Sequence, residues 1–194
     1  MIRRLASLLR RLGADRCGVA ALEFALVVPA VSVIYLVGFE VTEAATVNRK
    51  LTDTTVQLAN TTAQYTAMNS TDISNVLSAS SQIMSPYPTS NLTIVLSLVK
   101  TNSSGVGVVC WSQTQGGTAL ASNATMTMPS GYQTINTDYI LVTTTYAYQP
   151  TIGAAFIGAI AMTNKIYMLP RSSSTIPYTD SITTDANYGK TTSC

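Results

Sequence analysis

The stretch that decides the fold is Val19–Phe39, with the sequence VAALEFALVVPAVSVIYLVGF. Its 21 residues contain a single charged side chain, the carboxylate of Glu23. As an α-helix this stretch would be about 31 Å long, close to the roughly 30 Å hydrocarbon core of a bilayer. The pattern therefore predicts a transmembrane helix near the start of the chain.

The charges on either side of this stretch predict its orientation. Glu40 and Glu43 follow it directly, whereas residues 1–16 carry five arginines and one acid, Asp15. Positive charge collects on the cytoplasmic side of membrane helices, so we expect a cytoplasmic N-terminus and an outer position for residues 40–194. A cleaved secretory signal is the alternative reading of the same pattern. The five arginines are Arg3, Arg4, Arg10, Arg11 and Arg16.

The composition argues against an enzyme. The net charge is +2, only 10% of residues are charged, and Ser and Thr together account for 49 of the 194 residues. The chain has no histidine, which excludes His-based triads and histidine-ligated metals. The few acids are scattered, so we expect no catalytic residue, cofactor, metal or small-molecule substrate. The near-neutral charge gives no reason to expect nucleic acid as a partner.

Glu23 is the most informative residue of the apolar stretch. A carboxylate within the bilayer costs roughly 2.5–3.5 kcal/mol on insertion scales, which suggests that it has a partner. Cleavage after Gly18 would give Val19 a free amino group that could pair with Glu23 of a neighbouring subunit. The pKa of such an amino group is about 8. The alternative is a snorkelling or protonated carboxylate in an ordinary single-pass anchor.

The residues around this position resemble a known processing site. Arg16-Cys17-Gly18 followed by VAALEF is similar to the site of the type IV pilin class, with Gly before the scissile bond and Glu at position five of the mature chain. More narrowly, GVAALEFALVVP followed by GFEVTEA resembles the TadE/TadG-like pseudopilins of the tight-adherence (Flp) pilus system. Cys17 departs from the small or basic residue that usually precedes the Gly in this class. A weaker resemblance covers TTTYAYQP and KIYMLPRS in the C-terminal half, which look like that family's paired strands with a Pro-Arg element.

The resemblance implies a role in pilus assembly. A prepilin peptidase would cut between Gly18 and Val19, and Glu23 and Phe24 would then guide packing against other pilin or pseudopilin subunits. The expected product is a minor pilin or pseudopilin in the bacterial inner membrane, with its C-terminal domain periplasmic or extracellular. Two alternatives remain at this point: a secreted surface adhesin whose N-terminus is only a signal, and an uncleaved single-pass membrane protein glycosylated at its Asn-x-Ser/Thr sites.

The rest of the chain predicts an α+β fold, a long helix packed on a small, mainly antiparallel sheet. We expect a leader over residues 1–18, the span over 19–39, an extramembrane continuation of the helix over 40–68, and a domain over 69–194. The continuation has few large apolar residues, so we expect loose packing. A second helix is predicted over Asp72–Met84. The four predicted strands are Asn91–Thr101, Val106–Gln113, Asp138–Gln149 and Asn164–Leu169.

Two further features are predicted in this outer region. The apolar segment Thr151–Met162 is too short to cross a bilayer, and it predicts either a buried connection or a docking tip. Cys17 lies in the leader, whereas Cys110 and Cys194 both lie in the part expected outside the inner membrane, where disulfides persist. We expect Cys110 and Cys194 to form one disulfide; two free thiols are the alternative.

Overall fold

A computed structural model describes residues 18–152, 158–180 and 189–190. The chain divides between Glu43 and Ala44 into two compact units, called here the anchor unit and the outer unit. Helix α1 (Val19–Thr62) belongs to both units, and helix α2 (Ser70–Gln82) belongs to the outer unit. A short 3-10 helix, Thr89–Asn91, leads into the sheet.

The outer unit contains an antiparallel sheet. The strands are β1 (Leu92–Thr101), β2 (Val106–Gln115), β3 (Thr125–Thr127), β4 (Asp138–Tyr148), β5 (Ile160–Met168) and β6 (Gly189–Lys190). The main path of the sheet has the order β3-β2-β1-β4-β5, and β6 also pairs with β2. The prediction of an α+β fold with a mainly antiparallel sheet is therefore confirmed.

Alternation along the strands gives the sheet an inner and an outer face. On the inner face, Leu92, Ile94, Leu96 and Leu98 of β1 enter the main core with buried residues of α1 and α2. On the outer face, a smaller hydrophobic cluster lies between one part of the sheet and the segment that connects β2 to β4. Its buried members are Val99, Val109, Met128, Tyr139 and Leu141.

The outer part of α1 packs closely rather than loosely. Val47, Leu51 and Leu58 have no exposed surface, so the expectation of loose packing was wrong. Thr54 and Thr55 are also buried on this helix. Their hydroxyls donate to the carbonyls of Lys50 at 2.8 Å and Leu51 at 2.6 Å. Because the helix backbone satisfies the hydroxyls, these threonines can serve as core residues.

The ends of both helices are held by specific hydrogen bonds. α1 ends at Thr62, before the predicted end near Met68, and the amides of Arg171 and Ser172 donate to the Ala63 carbonyl at 2.8 and 3.4 Å. α2 begins with a capping box, in which Asn69 accepts from the Asp72 amide at 2.8 Å. The Asp72 carboxylate accepts from the Asn69 amide in return.

Two short strands are not among the four predicted ones. β3 lies between β2 and β4, and β6 follows β5. β5 begins at Ile160, earlier than the predicted Asn164, because its pairing with β4 continues to Tyr148. Residues 153–157 of the apolar segment lie outside the described residues. Its described flanks are exposed, with Ile152 at 39% and Ile160 at 41%.

Candidate membrane and assembly site

The first half of α1 presents large apolar side chains to its surroundings. Leu22, Phe24 and Leu26 are 72%, 71% and 80% exposed, and Ile34 and Tyr35 are each 73% exposed. A helix that is apolar on all sides is suited to a hydrocarbon environment. α1 is the one helix of the described residues with the length and composition to cross a membrane, a test that a signal sequence near the N-terminus also passes.

The predicted processing position coincides with the start of this helix. Gly18 directly precedes Val19, the first residue of α1, and the Val19 side chain is 52% exposed. A Cβ at Gly18 would meet no atom within 4 Å. The arginines of the leader and Cys17 lie outside the described residues. Gly18 and Val19 are thus both exposed at the start of the helix.

Glu23 and Phe24 lie about one turn further along the helix. Both side chains are exposed, and four residues of helical rise place Glu23 about 6 Å along the axis from Val19. Glu23 is also the one charged side chain in the sequence Val19–Phe39. A carboxylate in such apolar surroundings becomes more stable when a cation approaches, because the low dielectric strengthens their attraction.

The structure describes one of the two cysteines predicted to pair. Cys110 lies in β2 and is 2% exposed. It is the extra residue of a β-bulge, since Leu98 of β1 is opposite Trp111 while Val99 is opposite Val109. Cys194 lies outside the described residues. Strand β6 places Lys190 opposite Trp111, next to Cys110 in sequence, and Cys194 follows Lys190 by four residues. The Cys110–Cys194 disulfide stays a prediction.

Two cations have structural roles that the sequence did not reveal. The Lys50 ammonium donates to the carbonyls of Ile83 at 3.4 Å and Ser85 at 2.5 Å, just beyond the C-terminal end of α2. The Arg171 guanidinium donates to Asn60 Oδ1 at 3.0 Å near the end of α1. Cations at helix C-termini are stabilised by the helix dipole. Sequence could not identify either contact, because each joins residues more than 30 positions apart.

The outer unit also has a groove between α1 and α2. Its volume is about 410 Å³, and its lining combines polar and apolar side chains. The lining residues are Gln57, Thr61, Tyr65, Asn75, Val76, Ala79, Ser80 and Ile83. Within the part of the chain that the structure describes, no three His, Cys, Asp or Glu side chains come together in a group that could hold a metal ion.

The fold and the site define an α+β outer unit that continues from a helix of membrane-spanning length and composition. Comparison with known proteins adds no relative to this description. No protein-family model, no curated protein and no solved structure matches the chain significantly.

Proposed function

We propose that this chain is a minor pilin or pseudopilin of a tight-adherence pilus, a structural subunit held in the bacterial inner membrane by α1. In this proposal the N-terminus is cytoplasmic, and the outer unit is periplasmic or extracellular. The observation that carries the proposal is the position of Glu23, one turn inside an exposed apolar helix that begins directly after Gly18. The resemblance of this segment to pilin processing sites supports the same reading.

Maturation is proposed to consist of one hydrolysis. A prepilin peptidase would add water across the Gly18–Val19 peptide bond, leaving a carboxylate on Gly18 and an amino group on Val19. This chain is the substrate and contributes no catalytic group. The new amine is largely protonated near neutral pH, which supplies the positive charge that the segment Val19–Phe39 lacks.

Assembly would follow from pairing between subunits. An ammonium at Val19 of one subunit meets Glu23 of its neighbour when the two helices are offset by about 6 Å along their axes. Neutralising the carboxylate in this way offsets the roughly 2.5–3.5 kcal/mol cost of placing it in hydrocarbon. Phe24 is 71% exposed and would pack against the same neighbour. The outer unit would then contact other pilus components.

The glycoprotein alternative is weakened by the structural roles of four of its five acceptor residues. Asn60 Oδ1 accepts from Arg171 at 3.0 Å, and Asn69 Oδ1 caps α2 at 2.8 Å. Asn102 Oδ1 accepts from the amides of Ser104 and Val106, and Asn91 hydrogen-bonds to Tyr146. These asparagines therefore have uses within the fold that account for their presence without glycans.

N-terminal sequencing of the protein purified from membranes tests the maturation step. The proposal expects the mature chain to begin at Val19, and it expects Gly18→Val to block cleavage because the peptidase requires Gly before the bond. A wild-type protein that still begins at Met1 would remove the maturation step. A protein released from the membrane without residues 19–39 would instead support the secreted adhesin.

Incorporation into pili tests the role of Glu23. We expect Glu23→Leu to be cleaved normally but to be lost from purified pili, whereas Glu23→Asp retains partial incorporation. The matched control is Glu40→Gln, which removes a carboxylate outside the apolar stretch and leaves incorporation unchanged. Normal incorporation of Glu23→Leu would show that the ion pair plays no part in assembly.

A further inference from the structure

The directions of the helices and strands in the outer unit establish which of them lie at the same end of this unit as Ala44. α1 and β5 run in the same direction, because Asn164 donates to Thr52 at 3.0 Å while Arg171, just after β5, reaches Asn60. Ile160 therefore lies toward Ala44, where the chain enters the outer unit. The α2–β1 connection lies toward the same end, since its Ser85 carbonyl accepts from Lys50. We call this the Ala44 end.

The turn after β2 belongs to the Ala44 end as well. The Gly116 carbonyl accepts from Thr93 Oγ1 at 3.2 Å, and Leu92 at the start of β1 pairs with Tyr146 near the end of β4. Three connections thus meet at the Ala44 end. They comprise residues 85–91, residues 116–118, and the described flanks of the β4–β5 connection, 149–152 and 158–159.

The Ala44 end cannot be far from the apolar stretch. Phe39 precedes Ala44 by five residues, a separation of at most about 18 Å for any backbone conformation. If α1 crosses the bilayer, as the proposed function requires, the outer surface of the bilayer lies within that distance of Ala44. This limit follows from chain connectivity alone.

The chemistry of the Ala44 end suits such a surface. Residues 85–91, 116–118, 149–152 and 158–160 contain no Asp, Glu, Lys or Arg, whereas Lys100, Asp138 and Arg171 lie toward the opposite end of the sheet. Ile152 and Ile160 are 39% and 41% exposed there. Along α1, Glu43 directly precedes Ala44, Arg49 and Lys50 follow it by five and six residues, and Lys50 binds the Ile83 and Ser85 carbonyls.

We propose that the Ala44 end of the outer unit rests on the outer interface of the bilayer, with Ile152 and Ile160 as apolar contacts. This inference rests on the membrane anchoring of the proposed function, but not on cleavage or on a pilus. The uncharged connections can approach the headgroup region without desolvating an ionised group, and the exposed isoleucines gain by leaving water. The contact fixes the height of the outer unit above the membrane.

Fluorescence quenching by lipid tests the contact in the full chain. The protein is reconstituted into vesicles whose acyl chains carry bromine, and the variant Ile160→Trp is compared with the unchanged protein, whose Trp111 is only 1% exposed. The matched control is Ile135→Trp. Ile135 is 56% exposed, and its neighbours Asn136 and Thr137 hydrogen-bond to Thr101 at the opposite end of the sheet.

We expect the tryptophan fluorescence added by Ile160→Trp to be at least twofold lower in brominated vesicles than in unbrominated ones. The fluorescence added by Ile135→Trp should be the same in both kinds of vesicle within experimental error. The quenching should persist in 1 M salt, because the proposed contacts, Ile152 and Ile160, are uncharged. Equal quenching of the two variants, no quenching of Ile160→Trp, or its loss in high salt would overturn the inference.

Vesicle flotation separates this inference from the proposed function. If the chain floats with the vesicles and Ile160→Trp is not quenched, the anchor stands and the surface contact is refuted. If the chain does not float with the vesicles, membrane anchoring fails, and both the proposed function and the contact are refuted with it.

Discussion

The hydroxyl oxygens of Thr55 and Thr144 lie 2.6 Å apart where α1 packs against β4. Both residues are buried, with 2% and 0% of their surface exposed. Thr55 also bonds to the Leu51 carbonyl within its own helix at 2.6 Å. A polar contact thus joins the long helix to a central strand inside the core, and it gives the buried Thr144 hydroxyl a hydrogen-bond partner.

The two threonines should contribute unequally. We expect Thr55→Val to lower the free energy of unfolding by about 1–3 kcal/mol, because it leaves the Thr144 hydroxyl buried without its partner. Thr144→Val should lower the free energy of unfolding by less, because the Thr55 hydroxyl still donates to the Leu51 carbonyl. The double variant should recover most of the loss of Thr55→Val. Urea unfolding in detergent measures all three, and strictly additive losses would contradict the pairing.

Lys50 should stabilise the outer unit through the end of α2. Replacing it in Lys50→Met removes the hydrogen bonds to the carbonyls of Ile83 and Ser85, so we expect a loss of about 1.5–3 kcal/mol. The neighbouring Arg49 is exposed, and Arg49→Met should change stability by less than about 0.5 kcal/mol. Thermal unfolding of the two variants side by side measures this difference, and equal effects would exclude a specific role for Lys50.

Cys110 and Cys194 should resist alkylation until the protein is reduced. After denaturation without reductant, mass spectrometry should find maleimide on neither cysteine, and after reduction on both. Closing a loop of roughly 85 residues stabilises by at most about 4–5 kcal/mol in the loop-entropy model. Cys194→Ser should therefore lower stability as much as reduction does, and Cys17→Ser should have no effect. Labelling of both cysteines before reduction would exclude the bridge.

Stability should fall at alkaline pH partly through Tyr146. Burial raises the pKa of its phenol above the ordinary value of 10.0, and the hydrogen bond with Asn91 opposes that shift. The folded state therefore favours the neutral phenol. This contribution is complete below about pH 10 and is lost as the pH rises through the folded pKa, because the unfolded chain ionises first.

Tyr146→Phe isolates this contribution from that of the other tyrosines. Between about pH 9.5 and 11, the free energy of unfolding of the variant should decline less steeply than that of the unchanged protein. The measurement is urea unfolding at a series of pH values. Below about pH 9 the variant and the unchanged protein should share one slope, because the Tyr146 phenol is neutral there in both the folded and the unfolded state. Identical slopes for Tyr146→Phe and the unchanged protein at the higher pH values would refute the assignment.

Local patterns predicted much of the fold correctly. The start of α1 at Val19 follows from the long apolar run, and β1 and β2 lie within two residues of the predicted strands Asn91–Thr101 and Val106–Gln113. The predicted helix Asp72–Met84 likewise lies within two residues of α2. These features depend on residues that are close together in the sequence, so they can be predicted from a single sequence.

Features that depend on distant residues were missed. The outer part of α1 has few large apolar residues in its sequence pattern, because threonine is classed as polar. Thr54, Thr55 and Thr62 are nevertheless buried in the structure. The start of β5 at Ile160 reflects pairing with Tyr148, which an apolar run does not encode. For the candidate site, the sequence alone supplied Gly18, Val19, Glu23 and Phe24. The structure adds the exposure of the last three and the start of the helix at Val19.

The hydrogen bonds from Arg171 and Ser172 to the Ala63 carbonyl have a consequence for the order of folding. The donors emerge more than 100 residues after the acceptor during synthesis, so the last turn of α1 lacks its closing contacts until most of the chain has been made. Such long-range closure slows folding relative to local contacts. A nascent chain arrested before Pro170 would therefore display a frayed helix terminus and be a better target for proteases than the completed polypeptide.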